Sequence, residues 1–300
     1  MIAYCNATSS ARLAALYPVS GGTYVYGRER LGEVWGYLAG WCFVVGKTAS
    51  CAAMALTVGV YAWPEYAHAV AVAAVVAVTA VNYRGIQKSA LLTRVIVAVV
   101  LAVLAAVVVA AVSSTPGAAA EHLSLGGDAT VYGVLQAAAL MFFAFAGYAR
   151  IATLGEEVRD PARTIGRAIP IALGIVLVVY VAVAISALAV VGPTGLAEAT
   201  APLVETVRVA GVPGLAPVVQ VGAAVAAIGS LLAMVLGVSR TTLAMARDGH
   251  LPRWLAAVHS RHRVPHHAEL AVGIVVAVLA ATVDVRSAIG FSSFGVLLYY

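Results

Sequence analysis

The stretch Phe142 to Ala149 reads FFAFAGYA, with aromatic side chains set between small ones inside an apolar run. Gly147 lets the main chain leave helical geometry at a depth where loose backbone is tolerated only inside protein or beside a cavity. Freed N–H and C=O groups there would bind a carboxylate and an ammonium, with Phe143, Phe145 or Tyr148 closing over the ligand. Phe143, Ala144, Phe145, Ala146, Gly147 and Tyr148 are therefore the candidate binding residues. An aromatic stripe packed as core fits the same pattern, and residue chemistry alone does not separate the two readings.

Other groups could do chemistry. Ser230, beside Gly229 in a second apolar run, offers a hydroxyl to a cation. Lys47 falls in the middle of a third run, where an ionisable group calls for a functional reading; it would pair with an acid on a missing helix or snorkel to the surface. Glu156 and Glu157 are adjacent carboxylates, but no nucleophile or metal cluster accompanies them, so an ion pair with Arg159, Arg163 or a basic loop is the simpler reading. His259, His262, His266 and His267 fit no standard zinc spacing, no cysteine joins them, and they read as a solvated basic loop. No catalytic constellation lies within the apolar runs. The chain is not expected to be an enzyme, nor to carry a cofactor or metal.

The elements that must position these residues follow from composition. The chain is 62% hydrophobic and 10% charged, far from an ordinary soluble domain. Its apolar runs have the length of spanning helices and lack the alternation of barrel strands. Backbone groups in lipid must be satisfied internally, which predicts an all-α polytopic protein in the bilayer. A partial span ends near Tyr17. Complete spans are expected near 33–62, 67–82, 90–112, 131–154, 168–192, 215–238 and 268–285, and a last partial one starts at about 289.

Lysine and arginine concentrate in alternate loops: Arg28 and Arg30; Arg84, Lys88 and Arg94; Arg159, Arg163 and Arg167; Arg240 to Arg263. That set is read as cytoplasmic, and the 113–130, 193–214 and 284–288 connections as external. The net charge of +5 is thus topogenic and scattered, with no nucleic-acid partner expected. Cys5, Cys42 and Cys51 read as reduced packing residues, and no cleavable signal peptide is recognised. The chain opens inside an apolar segment and stops in mid-span, which reads as a fragment with a mis-called start or truncated ends.

Three motifs remain. Tyr17-Pro18 through Ser20-Gly21-Gly22-Thr23-Tyr24 stops the first helix and permits a re-entrant turn before the next span begins at Leu31. Gly32, Gly36 and Gly40 recur on one face and would let a neighbouring helix approach. Asp160-Pro161 is expected to cap and start a helix. The stretch 239–252, with Arg240, Arg247, Asp248-Gly249 and Pro252, is expected to form a short amphipathic turn at the cytoplasmic surface, acting as a gate element.

Tyr17 to Tyr24, Phe142 to Pro161 with its Gly-Tyr, Glu-Glu-Val-Arg and Asp-Pro elements, and Ser239 to Gly249 together resemble the amino acid, polyamine and organocation transporter superfamily. The resemblance is to its amino acid permeases, near the cationic amino acid transporter branch, and covers nearly the whole chain. It implies a LeuT-like fold of two inverted five-helix repeats, truncated at both ends, in which residues 1–300 form one partial transporter domain from about helix two to helix ten. It also implies substrate held between broken helices one and six, with 142–148 in helix six and Ser230 in helix eight, where sodium-coupled relatives of the fold place cation ligands.

Departures are local. Ser10-Ala11-Arg12-Leu13 stands where the family has Tyr-Ala-Glu-Leu, Ala149 stands where an acid often follows the Gly-Tyr pair, and the span after Arg94 carries no basic residue. The resemblance therefore fixes neither substrate charge nor coupling ion. The expected function is secondary active amino acid transport across the cell membrane by alternating access, coupled to a proton or sodium. A truncated inactive remnant and a seven-span receptor are the rival readings.

Overall fold

The computed structural model describes residues 2–17, 21–85, 90–114, 117, 119–124, 130–145, 147, 160–262 and 264–299. Of the residues singled out by sequence, Pro18, Ser20, Lys88, Ala146, Tyr148, Ala149, Glu156, Glu157, Arg159 and Arg263 lie outside this set. All regular elements among the described residues are helical: α1 (Ile2–Leu16), α2 (Thr23–Leu31), α3 (Glu33–Ala62), α4 (Ala67–Tyr83), α5 (Ala90–Ser113), the single turn α6 (Ala119–His122), α7 (Val131–Phe145), α8 (Pro161–Glu198), α9 (Pro202–Val209), α10 (Ala216–Arg247), α11 (His266–Thr282) and α12 (Val285–Tyr299), with short 3-10 turns between some of them.

Among the described residues, five helices are long and apolar enough to cross a membrane: α3, α4 with the turn before it, α5, α8 and α10. The other three apolar helices, α7, α11 and α12, are shorter. α3 is the central element. In its most apolar stretch 72% of residues are buried, against 17% in α5 and in α8, so α3 is enclosed by protein while α5 and α8 turn most of their surface outward. The main core joins four helices: Cys51, Ala52, Ala55 and Leu56 of α3 pack with Val75 and Val78 of α4, Leu231, Val235 and Val238 of α10, and Val272 and Val276 of α11. In this interior only packing and hydrogen bonds distinguish a neighbouring helix from lipid, so small residues that permit close approach matter. At the α3–α12 crossing a Cβ on Gly46 would lie 3.3 Å from the backbone of Gly295.

The stretch 21–32 is a helical hairpin arm, and the next span starts at Glu33 rather than Leu31. Gly32 has φ of +103°, a left-handed value that favours glycine, and reverses the chain so that α2 lies back along α3. The Gly32, Gly36, Gly40 spacing thus has a divided use: Gly32 is the turn, Gly36 abuts Arg28 of α2, and Gly40 abuts Tyr24 and Met245. Two further expectations are corrected. Residues 239–247 are not a separate amphipathic turn but the last turns of α10, which runs unbroken to Arg247 before Asp248 and Gly249 end it. Asp160 occupies the N-cap position of α8 with Pro161 after it, but it has φ of 48° and its side chain makes no capping bond.

α8 kinks at Gly192, where φ is +77° and Pro193 follows. The expected end of that span near 192 is therefore a bend, and helix continues to Glu198. Cys51 is in the core, Cys42 is half-buried, and Cys5 is exposed rather than packed.

Candidate functional site

α7 ends at Phe145, and Gly147 lies in a turn just beyond. The last carbonyls of a helix have no partner in the next turn. Here the Tyr180 hydroxyl of α8 donates to the Ala144 carbonyl at 3.2 Å. The Phe145 and Tyr180 rings meet edge to face, with centroids 5.3 Å apart. Ala144, Phe145, Gly147 and Tyr180 line a cleft of about 210 Å³ whose far wall is Ile169, Ala172, Leu173 and Val176. A Cβ on Gly147 would touch nothing within 4 Å, so that position opens onto free space.

Phe143 is half-buried and does not line this cleft, and Ala146 and Tyr148 lie outside the described residues. Tyr180 was not singled out by sequence, although it is the one aromatic in the apolar run 168–191 and its hydroxyl must find a partner there. Ser230 faces a different cleft, of about 330 Å³, between α5 and α10, lined by Ile96, Val97, Val100, Leu101, Ala226, Gly229 and Ala233. The structure does not bring it to the α7 terminus. Lys47 is 2% exposed, which rules out the snorkelled reading; it sits one residue from the close approach of Gly46 to α12.

At one end of the bundle the first and third sequence motifs meet. The Tyr24 hydroxyl donates to Asp248 Oδ2 at 2.6 Å and lies 3.0 Å from His250 Nδ1. Arg28 pairs with the same Asp248 oxygen, and the Tyr37 ring stands edge-on to His250. Burial, then the hydrogen bond and charge of Asp248, push the Tyr24 hydroxyl well above its ordinary value. Together these contacts form a latch between the α2 arm and the C-terminal end of α10. Beside it His259 Nδ1 accepts the N–H groups of Arg261 and His262, shaping the histidine loop. Gly85 abuts His262, so the loops read as cytoplasmic gather at one end.

Comparison with known proteins decides the family. A model of amino acid permeases matches residues 1–300. The chain is 75% identical over 301 residues to an uncharacterized transporter of Mycobacterium tuberculosis, covering 100% of this chain and 68% of that protein. The chain belongs to the amino acid permease family. A branched-chain amino acid permease of Bacillus subtilis is 28% identical, over 92% of this chain and 64% of its own length. A cationic amino acid transporter of Arabidopsis thaliana is 31% identical over 57% of this chain and 28% of its own length.

As a permease the chain is an integral membrane transporter and not an enzyme, and its all-α architecture with several membrane-length helices is that of a polytopic carrier. In this permease the α7–α8 cleft, the Ser230 cleft and the Tyr24–Asp248 latch are separate places, two between helices and one at an end of the bundle.

Proposed function

We propose that this permease is a secondary active carrier of the cell membrane that moves amino acids by alternating access, coupled to a proton or sodium. Residues 1–300 supply about helices two to ten of two inverted five-helix repeats, and α7 is the first half of the broken sixth helix. Phe143, Ala144, Phe145, Ala146, Gly147 and Tyr148 span that break, with Ala144, Phe145 and Gly147 on the cleft. The observation that carries this reading is the end of α7 at Phe145, with Gly147 open to a cleft and Ala144 held by the Tyr180 hydroxyl.

Main-chain groups freed at such a break recognise the amino and carboxyl groups common to all amino acids, and the wall selects the side chain. Ile169, Ala172, Leu173 and Val176 offer it no charge. A neutral aliphatic amino acid fits that wall better than a cationic one, since a buried ammonium there would lack a partner. The Bacillus subtilis relative, a branched-chain amino acid permease, points the same way. Ser230, with the carbonyls near Gly229, is the candidate cation contact.

Uptake of labelled leucine and of labelled arginine into vesicles holding the purified chain tests this directly. Leucine uptake is expected to exceed arginine uptake, and Gly147→Leu is expected to abolish it while leaving insertion into membranes intact. Normal uptake by Gly147→Leu would remove the pocket from this place. Replacing sodium by choline tests Ser230: unchanged uptake excludes it as a coupling site.

A further inference from the structure

A second ionisable group lies inside the bundle, away from the α7–α8 cleft. Glu269 stands in the first turn of α11 and is 0% exposed. Neither of its carboxylate oxygens has a hydrogen-bond partner among the described residues. The polar groups that bear on it are Asn82 of α4 and Ser239 and Arg240 of α10. The Ser239 hydroxyl spends its one hydrogen on the Val235 carbonyl at 2.7 Å, and the Asn82 amide gives one of its two hydrogens to the Leu232 carbonyl at 3.2 Å. Thr79, three residues before Asn82, is also buried with an unpartnered hydroxyl.

A carboxyl group taken out of water must be neutralised or paired. Glu269 has two ways to meet that demand, a proton of its own or the guanidinium of Arg240. From α3 the main core receives Cys51, Ala52, Ala55 and Leu56, and the same helix buries Lys47, Thr48 and Ser50. At the rim stand His266 of α11, Tyr83 of α4 and His259 of the preceding loop, with the His266 ring centroid 6.1 Å from Tyr83 and 5.4 Å from His259. These rim rings stand at the end of the bundle read as cytoplasmic, the side to which an inward-driven proton is released.

We propose that Glu269 is a proton-binding site at the junction of α4, α10 and α11, whose proton is exchanged for the charge of Arg240 when α10 shifts against α11. In the release step the carboxyl O–H bond breaks, the proton passes to water at the cytoplasmic rim, and the carboxylate turns to the guanidinium. Return of α10 withdraws Arg240 and the carboxylate takes up a proton again. The coupling role rests on the transport reading; the existence of the proton site does not.

Two readouts on the purified chain separate them. Infrared difference spectra between acid and alkaline buffer are expected to show a protonated-carboxyl band in the wild type that is missing in Glu269→Gln, and Arg240→Gln is expected to keep that band where the wild type loses it. In vesicles with an inward proton gradient, Glu269→Gln is expected to retain amino acid exchange and to lose gradient-driven accumulation at least tenfold. A spectrum with no band that depends on Glu269 overturns the site. Accumulation by Glu269→Gln equal to wild type overturns its coupling role. A chain that shows the band but exchanges no amino acid supports the proton site and removes the transport reading instead.

Discussion

Tyr24 and Asp248 lie 224 positions apart in the chain and share a hydrogen bond of 2.6 Å. The pairing with Arg28 is partly exposed, so water and salt reduce its worth. Asp248→Asn keeps the shape but removes the charge that holds both Tyr24 and Arg28, and is expected to lower stability in detergent by about 1 kcal/mol, read as an earlier thermal transition. The raised Tyr24 value gives a pH test. A group held protonated in the fold contributes stability that is fully present below its unfolded value, about 10 for tyrosine, and is lost progressively as pH rises from there through the higher folded value. In an alkaline titration followed by phenolate absorbance, Tyr24→Phe is expected to delete one late-titrating phenol and leave the early ones unchanged. Both partners were visible in sequence as members of separate motifs. Their contact was not, because periodicity and turn chemistry report local structure and carry no information about which loops meet. Glu269 was passed over for a related reason: an acid at the start of an apolar run looks like an interfacial residue until its neighbours are known.

For the elements, helix existence was legible and helix joints were not. Apolar runs of spanning length gave α3, α4 and α5 with close boundaries, since length and polarity are properties of the segment itself, while α8 and α10 run on past the ends expected near 192 and 238. The hairpin arm α2 was read as a turn because its sequence, with Arg28, Glu29 and Arg30 between aromatics, carries no long apolar signature. The end of α10 was misread for the opposite reason, as charges at 240 and 247 suggested a surface turn where the helix simply emerges from the core.

The crossing of α3 and α12 yields a packing prediction. Gly46→Leu places a branched side chain where backbone now lies 3.3 Å away, and is expected to destabilise by about 1–3 kcal/mol through overpacking, seen as aggregation or early unfolding in size-exclusion runs after heating. At the start of α12, Asp284 accepts from the Ser287 backbone N–H at 2.9 Å and from its hydroxyl at 2.6 Å, which pulls the carboxyl below its ordinary value. The stability this cap gives is present above the unfolded value near 4 and is lost as pH falls through the lower folded value. Amide exchange at Ser287 and Ala288 is expected to accelerate in that acid window, and Asp284→Ala is expected to show the fast rate at neutral pH.

Taken as a whole, the molecule separates two ends. The α2 arm, Gly85 and the loop 248–262 meet at one, and at the other Arg286 donates to the Ala197 carbonyl at 2.8 Å while His68 lies 2.7 Å from the Ala280 carbonyl. Orientation is tested in a background where Cys5, Cys42 and Cys51 are replaced: a cysteine at Arg253 is expected to react with an impermeant reagent only after the membrane is opened, and one at Glu198 is expected to react in intact cells. The reverse pattern would invert the reading of the basic loops. The enclosure of α3 has a consequence for how the protein is made. α5 and α8 are strongly apolar and mostly face outward, so each is able to enter a bilayer alone, whereas α3 and α4 are far less apolar and α3 brings Lys47, Thr48 and Ser50 to a buried face. During synthesis α3 leaves the ribosome well before α10, α11 and α12, the helices that later cover it. Its early residence in the membrane therefore depends on a companion, a hydrated passage or a chaperone, until the rest of the chain arrives to enclose it.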